Sequence, residues 1–133
     1  MIFRRRRIPP ELQAPHTAFL EVLAEVEPAK EALTDCMPTT RLPGRPLPDA
    51  LIEYESHVER AAALMPGWRC GATEQVWQGC AAGLDDALAL ARRLREEAPD
   101  LGGFEGLLGT VESLFDPLQP FEDAAKRFDA LKV

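Results

Sequence analysis

Apolar residues return along this chain at alternating steps of three and four, in four separate runs. The first is Phe19, Val22, Val26, Ala29, Leu33 and Cys36; the second is Leu51, Tyr54, Val58, Ala61 and Met65. The third is Trp77, Cys80, Leu84, Ala87, Ala91, Leu94 and Ala98. The fourth is Phe104, Leu107, Val111, Leu114, Leu118, Phe121, Ala125 and Phe128, ending at Leu131 or Val133. This spacing is one helix face lying against a near-parallel partner. Leu20, Leu23, Val76, Leu88, Leu108 and Phe115 stand beside the seams and widen them, as expected for helices that touch two neighbours. No run shows the period-two alternation of a strand. The pattern predicts an all-α protein, an antiparallel up-down-up-down four-helix bundle.

Proline and glycine divide the runs. Pro48-Asp49 opens the second helix, Pro66-Gly67 ends it, and the stretch from Ala98 to Gly103 separates the third from the fourth. Asp116-Pro117-Leu118-Gln119 reads as a fresh helix start, although the fourth seam keeps its register across it. A kink or short break is therefore expected there, and a bend at Pro28, because an internal proline removes a backbone donor at a cost of about 3 kcal/mol. Residues 1–14 form a basic, proline-containing arm, and 15–133 the bundle domain. The connector over 37–48 is proline-rich and longer than bundle loops usually are. Its Pro43-x-x-Pro46 spacing lacks the flanking arginine that proline-reading domains want, so a stiff connector is expected. The fourth run, at about 30 residues, outlasts the second, and its overhang must fold back, stay wet or find a partner.

Composition adds little to that picture. The 133 residues are 46% hydrophobic and 28% charged, enough apolar surface for one domain to fold without a metal or disulfide. Three cysteines without a Cys-x-x-Cys pair point to reduced thiols in a cytoplasmic setting. No apolar run approaches the roughly 20 residues of a membrane span, and the arginine run is not followed by the apolar stretch of a secretion signal. Arginine outnumbers lysine twelve to three, the usage of a GC-rich bacterial genome.

Charge does change the picture. The formal net charge is −7, yet the chain begins with Arg4, Arg5, Arg6 and Arg7. In an up-down bundle these share one end with Arg69, Lys126, Arg127 and Lys132, so an acidic barrel carries a basic end. The plainer reading has the late cations complementing the negative end of the last helix, with the arm lying on the protein's own surface. In a second reading the arm tethers the bundle to nucleic acid, with about four phosphate contacts and a matching salt dependence. An anionic membrane is the other polyanion, at about 1 kcal/mol per arginine. No stacking aromatics or helix-turn-helix signature flank the arm, and the acidic body repels polyanions.

Catalytic and metal chemistry find few candidates. There is no Glu-x-x-His pair for a di-metal bundle site; Glu53 and His57 stand one turn apart but alone cannot hold a catalytic metal. Two histidines cannot build a three-histidine site within one chain, and His16 reads as an end-of-core residue. Cys80 is a seam residue. Cys70, beside Arg69, is expected to be more exposed but has no evident base. No phosphate-loop, dinucleotide or nucleophile-elbow motif occurs. Trp77-Gln78-Gly79 resembles the Trp-x-Gly motif of small secreted helical-hairpin proteins over three residues only; there the motif marks a turn, whereas here the seam runs through it.

The expectation is a non-enzymatic cytoplasmic interaction module without cofactor or metal, binding an unidentified protein partner or itself as a homodimer. Nucleic acid or membrane contact through the arm is the alternative, and a small molecule between helices one and four a further one. The candidate binding residues are Arg4, Arg5, Arg6, Arg7, Trp68 and Arg69, the tryptophan serving either as a hot spot or as a plug of the bundle end.

Overall fold

The computed structural model describes residues 5–133, all-helical apart from loops, with no strand among those residues. Helix α1 spans Gln13–Thr34, α2 Leu47–Leu64, α3 Glu74–Glu97, α4 Phe104–Phe115 and α5 Pro120–Ala130. Single 3-10 turns precede α1 (Pro10–Leu12), follow α2 (Met65–Trp68), lead into α3 (Gly71–Thr73) and join α4 to α5 (Asp116–Leu118). The last two helices thus make one interrupted rod, and the fold is four helical segments around a single core.

The seams carry that core. Every residue of the first two runs is buried, and in the third Cys80, Leu84, Ala87 and Ala91 are. Val111, Leu114, Leu118 and Phe121 keep the alternating step straight through the 3-10 turn. The fourth run departs from expectation at both ends. Phe104 is 56% exposed because the first turn of α4 lies outside the packed layer. Past the restart at Pro120 the buried alanine is Ala124 and not Ala125, so α5 presents a slightly rotated face.

Neighbours pack in sequence order, α1 on α2, α2 on α3, and α3 on the 3-10 turn and α5. At one end the Phe19 ring of α1 meets Trp68, just past α2, at 4.9 Å between centroids, and Phe128 of α5 at 4.9 Å. At the other end Leu47 and Leu51 of α2 share a groove with Leu94 of α3 and Ala98 just past it. Pro28 lies within α1, which runs on to Thr34. The connector is ordered by Arg45 N donating to the Asp35 carbonyl at 2.7 Å and by Thr39, whose hydroxyl accepts from Leu42 N at 3.0 Å. Gly44 permits this reversal, since a Cβ there would collide with the Cys36 carbonyl.

The rod is interrupted at Pro117, which has no N–H to continue the helical ladder. There α3 comes closest: Gly83 is buried, and a Cβ on it would strike the Pro117 carbonyl oxygen. One turn earlier, the fully buried Tyr54 hydroxyl donates to the Leu114 carbonyl at 2.7 Å. Burial pushes the Tyr54 phenol well above its ordinary value, so it remains a donor throughout the stability range. Tyr54→Phe keeps the ring and removes that donor. It should lower stability by about 1–3 kcal/mol, read as a lower urea midpoint at unchanged slope; an unchanged midpoint would show that the bond does not bear on folding.

Candidate functional site

At the end where the described termini meet, residues 6–8 are bound to the bundle. Arg7 N donates to the Val133 carbonyl at 2.9 Å and Val133 N to the Arg7 carbonyl at 2.8 Å, while Ile8 is buried in the core. Arg6 Nη2 donates to the Lys132 carbonyl at 3.0 Å and the Asp129 carbonyl at 3.5 Å, just where α5 ends and its carbonyls lack helical donors. Arg127 Nε donates to the Ala72 carbonyl at 2.9 Å, tying α5 to the turn before α3. Lys132 pairs with Asp129 at 2.8 Å, and that bond, aided by Arg6, holds the Asp129 carboxyl below its usual value. Arg5, Arg7 and Lys126 keep exposed side chains. Arg4 lies outside the described residues.

The other two candidates are engaged within the fold. Trp68 is fully buried, its indole N–H on Met65 Sδ at 3.2 Å and its ring against Phe19 and Phe128. It plugs the end of the core and is closed to a partner in this arrangement, because the 3-10 turn after α2 directs the indole inward. Arg69 is half exposed but doubly engaged: its Nη2 is 2.8 Å from Glu74, and its guanidinium lies 4.0 Å above the Trp77 ring. The Trp77 indole N–H in turn donates to the Met65 carbonyl at 2.8 Å. Cys70 is half-buried with Sγ 3.2 Å from the Thr73 hydroxyl, and Gly79 lies within α3 and not in a turn.

His57 pairs across the helices instead of with Glu53, which is taken by Arg45 at 2.7 Å. Glu25 Oε2 of α1 lies 2.8 Å from His57 Nδ1 and accepts from Arg60 Nε at 3.0 Å. These bonds hold the Glu25 carboxyl below its usual value. His16 rests on the Phe128 ring at 5.2 Å; partial burial, then Lys132, lowers its pKa. Burial pushes the Cys80 thiol up to about 12 and raises Cys36 as well, which leaves both as core thiols. Among the described residues no cluster of three His, Cys, Asp or Glu side chains is placed to hold a metal, and no helix is long and apolar enough to cross a membrane.

Two features escaped the sequence reading. Glu55 is only 5% exposed, with Arg95 Nε at 2.6 Å from Oε2, Arg95 Nη2 donating to Oε1 at 3.1 Å, and Arg92 Nε 3.7 Å from Oε1. Oε2 makes no directed hydrogen bond despite that short ionic approach. Arg92 also reaches Glu59 at 2.8 Å, completing a network between α2 and α3. The available signal was Glu55 and Glu59 one turn apart on one helix, facing Arg92 and Arg95 on the next.

The second is an apolar groove of about 210 Å³ at the end away from the termini. Its walls are Leu47, Pro48 and Leu51 of α2, Leu94 and Arg95 of α3, and Ala98, Pro99 and Leu101 just beyond it. Leu101 also borders a separate shallow recess formed with residues 102–106, and Phe104 and Leu108 of α4 are exposed. A more polar recess of about 400 Å³ lies at the other end, between residues 71–76 and Arg127.

No family model, curated relative or solved structure matches this chain.

The Glu25 pair has a pH signature. Its folded carboxyl titrates below the usual 4.5, so its stabilisation is present above that value and is lost as pH falls through the folded pKa. Glu25→Gln should therefore cost about 0.5–1 kcal/mol at pH 6–7. In urea titrations from pH 5 to 3 the wild-type and variant midpoints should converge. A constant gap would contradict the pairing.

Proposed function

We propose that this protein is a non-catalytic helical interaction module whose groove end binds another protein. In this reading the four segments form an antiparallel up-down-up-down bundle. The meeting of Phe19 with Trp68, the groove shared by Leu47 and Leu94, and the Arg127–Ala72 bond support that order. One observation carries the functional reading: α4 starts with an unpartnered apolar face. Phe104 is 56% and Leu108 36% exposed one turn apart, and Phe104 lines a recess that shares Leu101 with the groove. Exposed large apolar side chains beside an apolar groove are characteristic of an interaction site. A small molecule between helices one and four has less support, since none of the grooves described above includes a residue of α1.

A photoreactive group at position 108, compared with one at exposed Asp86 of α3, tests this in the native host. A protein adduct formed from position 108 alone, and lost when Phe104→Ser is added, is expected. Phe104→Ser should itself shift stability by no more than about 0.5 kcal/mol, as for other surface changes. Equal labelling from both positions, or none from either, overturns the reading.

The basic end favours a second reading, a tether to a polyanion, since Arg5, Arg7 and Lys126 remain exposed near Arg127. Replacing Arg4, Arg5 and Arg7 by Ala spares Arg6, which caps α5. Binding to DNA, RNA or anionic liposomes should then fall, and the salt slope should shrink by about 3. Identical binding by both proteins at 50 and 200 mM salt would remove the tether.

A further inference from the structure

The groove end has a charge pattern that selects among partners. Asp49 follows Pro48 of the groove wall, Glu96 and Glu97 precede Ala98, Asp100 stands between Pro99 and Leu101, and Glu105 follows Phe104. All five are exposed, and none has an ion-pair partner among the described residues. Of the nearby cations, Arg95 of the groove wall is held by Glu55, Arg92 by Glu59 and Arg45 by Glu53, while Arg41 of the connector and Arg93 are exposed without an ion pair. The groove end thus carries more exposed carboxylates than free cations, with Asp49 feeling Arg45 at longer range.

Resting on the interaction-module reading, we propose that this end docks an amphipathic helix of another protein whose apolar stripe is flanked by lysine or arginine. Size argues for side chains as the occupants of the groove. At about 210 Å³ it falls below the roughly 300 Å³ at which small-ligand pockets begin. The backbone of the partner argues for a helix. With no strand edge among the described residues, an extended peptide would find no ladder to join, whereas a helix satisfies its own backbone and offers anchors at steps of three and four. Charge argues against a second copy placed face to face, which would set the same five carboxylates against each other. A basic flank does the reverse, and its attraction is strongest where the carboxylates have no internal partner.

Three fluorescent peptides of one length test this by anisotropy at 50 and 150 mM salt: a leucine–lysine amphipathic helix, the same composition scrambled to erase the stripe, and a leucine–glutamate helix. The wild type should bind the first most tightly, with the scrambled peptide at least ~10-fold weaker because it lacks the apolar anchors. Glu97→Lys with Asp100→Lys should weaken the leucine–lysine helix ~10-fold and improve the leucine–glutamate one. Phe104→Ser should weaken both, while Asp85→Lys with Asp86→Lys, on the middle of α3, should leave the ranking intact. Equal binding of striped and scrambled peptides, or equal losses from the two charge reversals, would overturn the proposal as mere attraction between opposite charges. Concentration-dependent self-association in sedimentation, abolished by Phe104→Ser, would overturn it in favour of a second copy. Photocrosslinking from position 108 without leucine–lysine binding would leave the interaction module standing and reject the basic helix; failure of both would reject both.

Discussion

The architecture depends on how the chain tolerates a proline break in the middle of its core. Pro117 cannot donate to the helical ladder, and a break of that kind in an apolar interior normally strands backbone polar groups. Here the break is closed from two sides. Gly83 lets the α3 backbone approach the Pro117 carbonyl within the space a side chain would occupy, and Tyr54 brings a buried hydroxyl from α2 to the Leu114 carbonyl. Helices two, three and four therefore meet at one point through backbone geometry as well as through side-chain volume. Because the break is sealed there, the buried residues on either side of it, Leu114 and Leu118, remain in one seam. Beyond it α5 turns a slightly different face, and its Phe128 closes the core with Phe19 and Trp68.

This explains which parts of the fold were legible in the sequence. Steps of three and four reveal a helix face wherever the helix is continuous, and the first two runs are buried residue for residue. Periodicity carries no phase across an interruption, so Ala124 and Ala125 could not be told apart beyond Pro120. It also says nothing about whether a partner helix reaches far enough to cover a position. Phe104 is in register and still faces water. Glu55 shows the converse, a charged residue beside a seam that is buried because arginines from the next helix come to it. That depends on how two helices are set side by side, which one sequence run does not contain. The candidate site was less legible than the fold, because its groove is made by two stretches, residues 47–51 and 94–101, that are distant in the chain.

The buried Glu55 illustrates why charge position matters more than charge count. A carboxylate taken from water is costly unless its partners come with it. Here they do, as Arg95 and Arg92, which are themselves half exposed. A pair of that kind adds little net stability compared with apolar packing, but it penalises any sliding of α3 along α2 that would separate the charges. It also occupies two of the cations nearest the groove.

The same distinction decides how the opening arginines are to be understood. They are the most conspicuous charges in the sequence, yet the structure draws much of the basic end inward. Arg6 serves the carbonyls at the end of α5, Arg127 serves Ala72, Arg69 serves Glu74 and Trp77, and Lys132 serves Asp129. At the groove end the balance is opposite: Glu55, Glu59 and Glu53 engage Arg95, Arg92 and Arg45, and five exposed carboxylates without an ion pair outnumber the free cations Arg41 and Arg93. A partner is attracted by the field that remains after internal pairing, not by the charges a chain contains. By that measure the stronger uncompensated field beside apolar surface is negative, and it lies at the end of the molecule farthest from the arginine run.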